Sequence, residues 1–132
     1  MAVCDEGYIC DVCGKEVEAI TDSALYLQYV LGAISPNDLP NTQERHIRCD
    51  TTLAQFIVAP AFAPVICEGP FAKTHLDPAY VLQQERLITR AWERLQEIPQ
   101  LGIAIPEYPL PEVLRSWDEQ NRSERRSEQA TK

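Results

Sequence analysis

Histidine is nearly missing from this chain: His46 and His75 are the only two in 132 residues. Catalytic zinc sites draw heavily on histidine, and histidine is the usual proton carrier near neutral pH. If one of the two is spent on a metal, only one remains for acid–base work, so an enzyme is not expected. Basic residues are in deficit as well. Twelve Lys and Arg against twenty Asp and Glu leave a formal net charge of −8, which argues against a chain built to neutralise phosphates or to lie on an anionic membrane. The segment 117–132 adds nothing to that imbalance, because Asp118, Glu119, Glu124 and Glu128 are cancelled by Arg122, Arg125, Arg126 and Lys132. Long apolar runs are lacking too. The longest, Phe56 to Cys67, is too short to cross a bilayer and is broken by Pro60 and Pro64. Asp5 and Glu6 stand where a signal peptide would place apolar residues. A cytoplasmic protein is expected.

What the chain does have is cysteine. Cys4, Cys10, Cys13, Cys49 and Cys67 are an odd number, which disfavours a full disulfide framework. Cys10 and Cys13 form a CxxC turn in which two intervening residues let both sulfurs face one side, and Gly14 allows the chain to bend after the second. A closed zinc site needs four ligands. His46 and Cys49 repeat the two-residue gap 32 residues further on, just ahead of an expected helix start. Three thiolates and one neutral imidazole around a divalent cation leave a net charge of −1, which Lys15, Arg45 and Arg48 can offset. Cys67 is a rival for the fourth place. It would give an all-thiolate set with Cys10, Cys13 and Cys49 and leave His46 on the surface. Alternatively, the cysteines are simply free and buried, as small apolar residues. Cys4 reads as a free thiol near the terminus. A thioredoxin-like use of the CxxC requires a strand before it and a helix after it inside a βαβ setting, and position 10 leaves no room for the preceding unit.

Residues 8–57 resemble the broad treble-clef and zinc-ribbon group, in which a CxxCG knuckle is joined by a second ligand pair near the start of a helix. The resemblance implies knuckle ligands at Cys10 and Cys13 with the turn at Gly14, a second pair at His46 and Cys49, and zinc as the cofactor. His46 stands where many members have cysteine, and the 32-residue spacer is long for the group.

The expected fold class is α+β: a small zinc-stabilised domain with short strands, one long amphipathic helix and a Pro-rich C-terminal segment. One domain covers 1–116, with the knuckle and second pair in 8–57, an extended segment in 58–76, the long helix in 77–98 and a Pro-rich strap in 99–116. A disordered tail is expected over 117–132, where apolar residues nearly vanish. Residues 22–31 fit a helix capped by Thr21 or Asp22 and ending at Gly32, and their alternating Leu25, Leu27, Tyr29 and Leu31 also fit a strand. Asp50 is placed to cap a short helix bearing Leu53, Phe56 and Ile57 on one face. The clearest signal begins at Asp77 as N-cap with Pro78 in the first helical position. There Val81, Ile88, Ala91, Trp92, Leu95 and Ile98 share a face, and Pro99 is the expected stop.

A scaffold of this kind suits a protein-interaction or accessory module. The surfaces offered to a protein partner are the Pro-rich run Ile105 to Leu114 and any uncovered stripe of the long helix, although that run could equally be a strap over the core. Nucleic-acid binding is the weaker alternative, resting on Arg45, His46 and Arg48 with Tyr26 and Tyr29 as stacking platforms. His75 with Asp77, and Glu68 beside Cys67, are residues from which an acid–base pair could be assembled, but a turn and a cap explain them as well.

Overall fold

A computed structural model describes residues 8–130 of the chain. Cys4 lies outside the described residues. The chain begins with a minimal antiparallel hairpin, β1 (Tyr8–Ile9) and β2 (Glu16–Val17), in which Tyr8 faces Val17 and Ile9 faces Glu16. A tight turn over Ile20–Asp22 follows and leads into helix α1, Ala24–Leu31. Of the two conformations open to residues 22–31, the helix is the one formed. Its cap is Ser23 instead of Thr21 or Asp22: the Ser23 Oγ accepts from the Tyr26 N–H at 3.1 Å. Gly32 ends the helix in the left-handed region at φ 91°, a conformation that glycine adopts without steric cost.

Helix α2 is a single turn, Thr51–Ala54, capped by Asp50 as expected. The segment from Gln55 to Leu76 then runs without a long regular element. Gln55 holds its ends together: its Oε1 accepts from Lys73 N–H at 2.8 Å, and its Nε2 donates to the carbonyls of Phe71 and Thr52. Helix α3, Pro78–Leu101, starts at the expected cap, where the Asp77 carboxylate accepts from the Tyr80 N–H at 3.1 Å. It does not stop at Ile98. Pro99 sits inside the last turn and Gly102 closes the helix at φ 64°. With so little helix beyond it, the proline removes one backbone hydrogen bond near an end that frays in any case.

The largest departure lies at the C-terminus. Helix α4 runs Pro111–Ala130, where the end of a Pro-rich strap and then a disordered tail were expected. Pro111 opens it in the position where proline fits best, and Asp118 pairs with Arg122 one turn later at 2.9 Å. Serine, glutamate, arginine and glutamine carry a helix without needing an apolar face. The strands are also shorter than an α+β architecture suggests, and the described chain is chiefly helical.

The core forms where α1 crosses α3. Leu27 and Val30 of α1 meet Ile88, Ala91, Leu95 and Ile98 of α3, with Ile47, Ala54, Phe56, Ile57 and Phe62 filling the side towards α2. Val81 and Trp92 of the expected face are only partly buried. Between α3 and α4, Pro109 and Leu110 are buried, and the Leu110 N–H donates to the Val30 carbonyl at 3.1 Å. Tyr29, fully buried in α1, donates its hydroxyl to the Ile105 carbonyl at 3.0 Å. No described helix is long and apolar enough to cross a membrane.

Gly32 also marks where α4 meets α1, since a Cβ built there would lie 3.0 Å from both γ-methyls of Val113. Gly32→Ala combines that contact with a left-handed backbone. It is expected to destabilise the fold by about 1–3 kcal/mol, read as a lower thermal midpoint. An unchanged midpoint would contradict the close approach.

Candidate metal centre

The knuckle is a backbone device. The Cys10 N–H donates to the Lys15 carbonyl at 2.9 Å and the Gly14 N–H to the Cys10 carbonyl at 3.0 Å, with Gly14 in the left-handed region at φ 76°. This folds Cys10 to Lys15 into the tip of the β1–β2 hairpin. The second pair is built by a tight turn over Ile47–Cys49, in which the Cys49 N–H returns to the His46 carbonyl at 3.1 Å. That turn sets His46 and Cys49 side by side.

The hairpin and the turn meet so that one donor atom from each of Cys10, Cys13, His46 and Cys49 lies within 4.8 Å of every other. The group could hold a metal ion. Around a single zinc, tetrahedral bonds of about 2.3 Å to sulfur and about 2.0 Å to nitrogen put neighbouring donors about 3.5–3.8 Å apart. His46 Nδ1 lies 3.3 Å from Cys13 Sγ and 3.8 Å from Cys49 Sγ. The residues present therefore fit a mononuclear site. Cys67 is not among them; it is buried elsewhere and lines a hollow that Ile57 and Phe62 also line. His75 is exposed in a turn before α3.

The imidazole orientation is fixed from behind. His46 Nε2 lies 2.9 Å from the Glu16 carbonyl oxygen. A carbonyl can only accept, so Nε2 carries the proton and the Nδ1 lone pair faces the sulfurs, as a metal-binding histidine requires. Cys10, 1% exposed, receives the N–H groups of Val12 and His46 on its sulfur, each at 3.4 Å. Burial works against its thiolate, but backbone N–H groups of Cys13, His46 and Val12 outweigh it and bring the thiol down to about 6. Cys49 moves the other way: burial, then hydrogen bonding and repulsion from Cys10 and Cys13, push it up to about 12. His46 is raised above its ordinary value; burial opposes this, but the Cys10 and Cys13 sulfurs and the Glu16 carbonyl prevail.

Two contacts that the sequence does not announce hold the second pair in place. Glu44, 4% exposed, accepts from the Ser23 Oγ at 2.8 Å and from the Arg45 N–H at 2.9 Å. Burial raises its pKa, and those hydrogen bonds work against the rise. Arg45 grips Asp11 with two hydrogen bonds of 2.8 and 2.7 Å, joining the knuckle to the second pair through side chains. Arg45 is thus near the cluster. Arg48 is not a counter-charge there: it stands 4.4 Å over the Phe62 ring and donates to the Ala63 carbonyl. A buried glutamate two residues before a candidate histidine has no spacing signature, so only the fold reveals it. No protein family matches the chain, and neither does any curated protein or solved structure.

Proposed function

We infer that this chain is a protein-interaction or accessory module whose N-terminal half is closed by one structural zinc ion, with Cys10, Cys13 and Cys49 Sγ and His46 Nδ1 as ligands. The observation that carries the reading is the histidine: its Nε2–H is committed to the Glu16 carbonyl, so its only lone pair faces the Cys13 and Cys49 sulfurs. Helix α2 starts just after Cys49, which agrees with the treble-clef and zinc-ribbon resemblance. Three thiolates and an imidazole make a saturated, electron-rich site, the donor set of structural zinc rather than of catalytic zinc with an open position. His75, the other histidine, is exposed in a turn before α3 and is not one of the four clustered residues. The reading is therefore of a scaffold and not of an enzyme.

Nucleic-acid binding gains no support from the residues suggested for it. Tyr29 is fully buried, Tyr26 stacks edge-on with Tyr29 and Tyr108, and Arg45 is paired with Asp11. A structural zinc contributes on the order of 10 kcal/mol to folding, comparable with the whole stability of a small domain.

Freshly reduced protein is expected to carry one zinc per chain by native mass spectrometry. Cys13→Ser and His46→Ala are expected to lose it and melt earlier, whereas Cys67→Ser keeps it. Zinc retained by His46→Ala and lost by Cys67→Ser would instead select the all-thiolate set. In mobility-shift titrations with generic DNA and RNA at low salt, no complex is expected; a salt-sensitive shift would move the reading to nucleic acid.

A further inference from the structure

The three cysteines of the metal centre are not equally placed. Cys10 is 1% exposed and Cys49 is half-buried, whereas Cys13 is exposed at the tip of the β1–β2 hairpin, where residues 11–16 all face solvent. The space beside it is open: a Cβ built on Gly14 would meet no atom within 4 Å. The sulfurs also differ in what holds them. Cys10 Sγ receives the N–H groups of Val12 and His46, each at 3.4 Å, while among the described residues no backbone N–H reaches Cys13 Sγ. A hydrogen bond to a sulfur anion draws off its charge and weakens it as a nucleophile. The sulfur that lacks such bonds and faces water is therefore the one that an electrophile meets first.

A second sulfur able to complete an oxidation lies next to it. Cys10 Sγ is within 4.8 Å of Cys13 Sγ, and both residues belong to one turn. That turn is closed by backbone bonds that need no metal, from the Cys10 N–H to the Lys15 carbonyl at 2.9 Å and from the Gly14 N–H to the Cys10 carbonyl at 3.0 Å. Cys49 is as close to Cys13, but it stands on the separate turn Ile47–Cys49. Once the bonds to a shared ion are lost, the pair within a single turn is the one that stays together. An exposed attacking thiolate with a covered partner beside it is the arrangement in which a sulfenic acid is resolved as a disulfide.

We propose that Cys13 is an oxidation site for hydroperoxides, and that Cys10 closes a disulfide onto it and thereby empties the metal centre. The inference rests on the zinc reading and adds a control to that site. The Cys13 thiolate attacks one oxygen of hydrogen peroxide; the O–O bond breaks, hydroxide leaves, and Cys13 becomes a sulfenic acid. The Cys10 thiolate then attacks the Cys13 sulfur, the S–O bond breaks and a second hydroxide leaves. Each sulfur gives up one electron and the peroxide takes both. The disulfide withdraws two of the four donors, and His46 with Cys49 are too few to retain zinc. The hairpin is then tied to the second pair only through Arg45 with Asp11 and His46 with Glu16, so the N-terminal half loosens while the packing of α1 on α3 remains.

Peptide mass spectrometry and a chromogenic zinc chelator test this on the zinc-loaded full chain. A brief pulse of iodoacetamide is expected to label Cys13 ahead of Cys10, Cys49 and Cys67. Hydrogen peroxide should produce a Cys10–Cys13 disulfide, release one zinc ion for each disulfide formed, and lower the thermal midpoint towards that of Cys13→Ser. Reductant and zinc together should reverse all three changes. The double variant Cys4→Ser, Cys67→Ser keeps every ligand and should respond as the wild type does. Labelling that reaches Cys49 or Cys67 first, a disulfide that joins Cys13 to any residue other than Cys10, or zinc release that needs Cys4 or Cys67 would overturn the proposal. Zinc content measured before the oxidant separates the two readings: a zinc-loaded chain that keeps its metal in peroxide overturns the oxidation site alone, and a chain that purifies without metal overturns the zinc site and this control with it.

Discussion

Three cysteine sulfurs gathered with an imidazole nitrogen within 4.8 Å of one another repel one another once they ionise, and shared protons or a cation relieve that repulsion. The opposite displacements of Cys10 and Cys49, one down to about 6 and the other up to about 12, express that conflict. Backbone N–H groups favour the first thiolate, and the first then disfavours the last. A divalent cation removes the conflict, since it stabilises every thiolate at once. The rest of the N-terminal half is arranged around that point.

The dependence runs outward through hydrogen bonds. β1 and β2 have two residues each, too few for a hairpin to persist alone. Glu16 in β2 supplies the carbonyl that orients His46, and Asp11 in the knuckle holds Arg45. Behind them Glu44 binds Ser23, the residue that caps α1, and the Ala24 N–H donates to the Arg45 carbonyl. Helix α1 in turn packs on α3. A metal held by these four residues would therefore tighten a chain of contacts that ends in the hydrophobic core. The far side of the molecule is built differently: α3 and the segment after α2 are held by apolar packing and by Gln55.

Much of this was legible in the sequence where chemistry depends on spacing. Cys10, Cys13, His46 and Cys49 are brought together as the repeated two-residue gap implies, and Asp77 followed by Pro78 marks the start of α3. What was not legible depends on partners remote in sequence. Nothing in "NTQERH" shows that Glu44 is buried against Ser23, because burial of a carboxylate is decided by the fold around it. Pro99 reads as a helix stop, yet one lost hydrogen bond near a helix end leaves α3 intact as far as Leu101. The polarity after Trp117 suggests disorder, whereas α4 needs only good helix formers and local pairing. The Pro-rich run could be strap or docking site on pattern alone; Pro109 and Leu110 are buried, whereas Ile105 to Glu107 are exposed and Pro111 to Leu114 begin α4.

X-ray absorption at the zinc edge reads the first coordination shell of the metal directly. The expected spectrum is that of a four-coordinate shell of three sulfurs at about 2.3 Å and one imidazole nitrogen at about 2.0 Å. A shell of four sulfurs would remove His46 from the site, and a shell rich in oxygen, or a chain that purifies without metal, would contradict the structural zinc altogether.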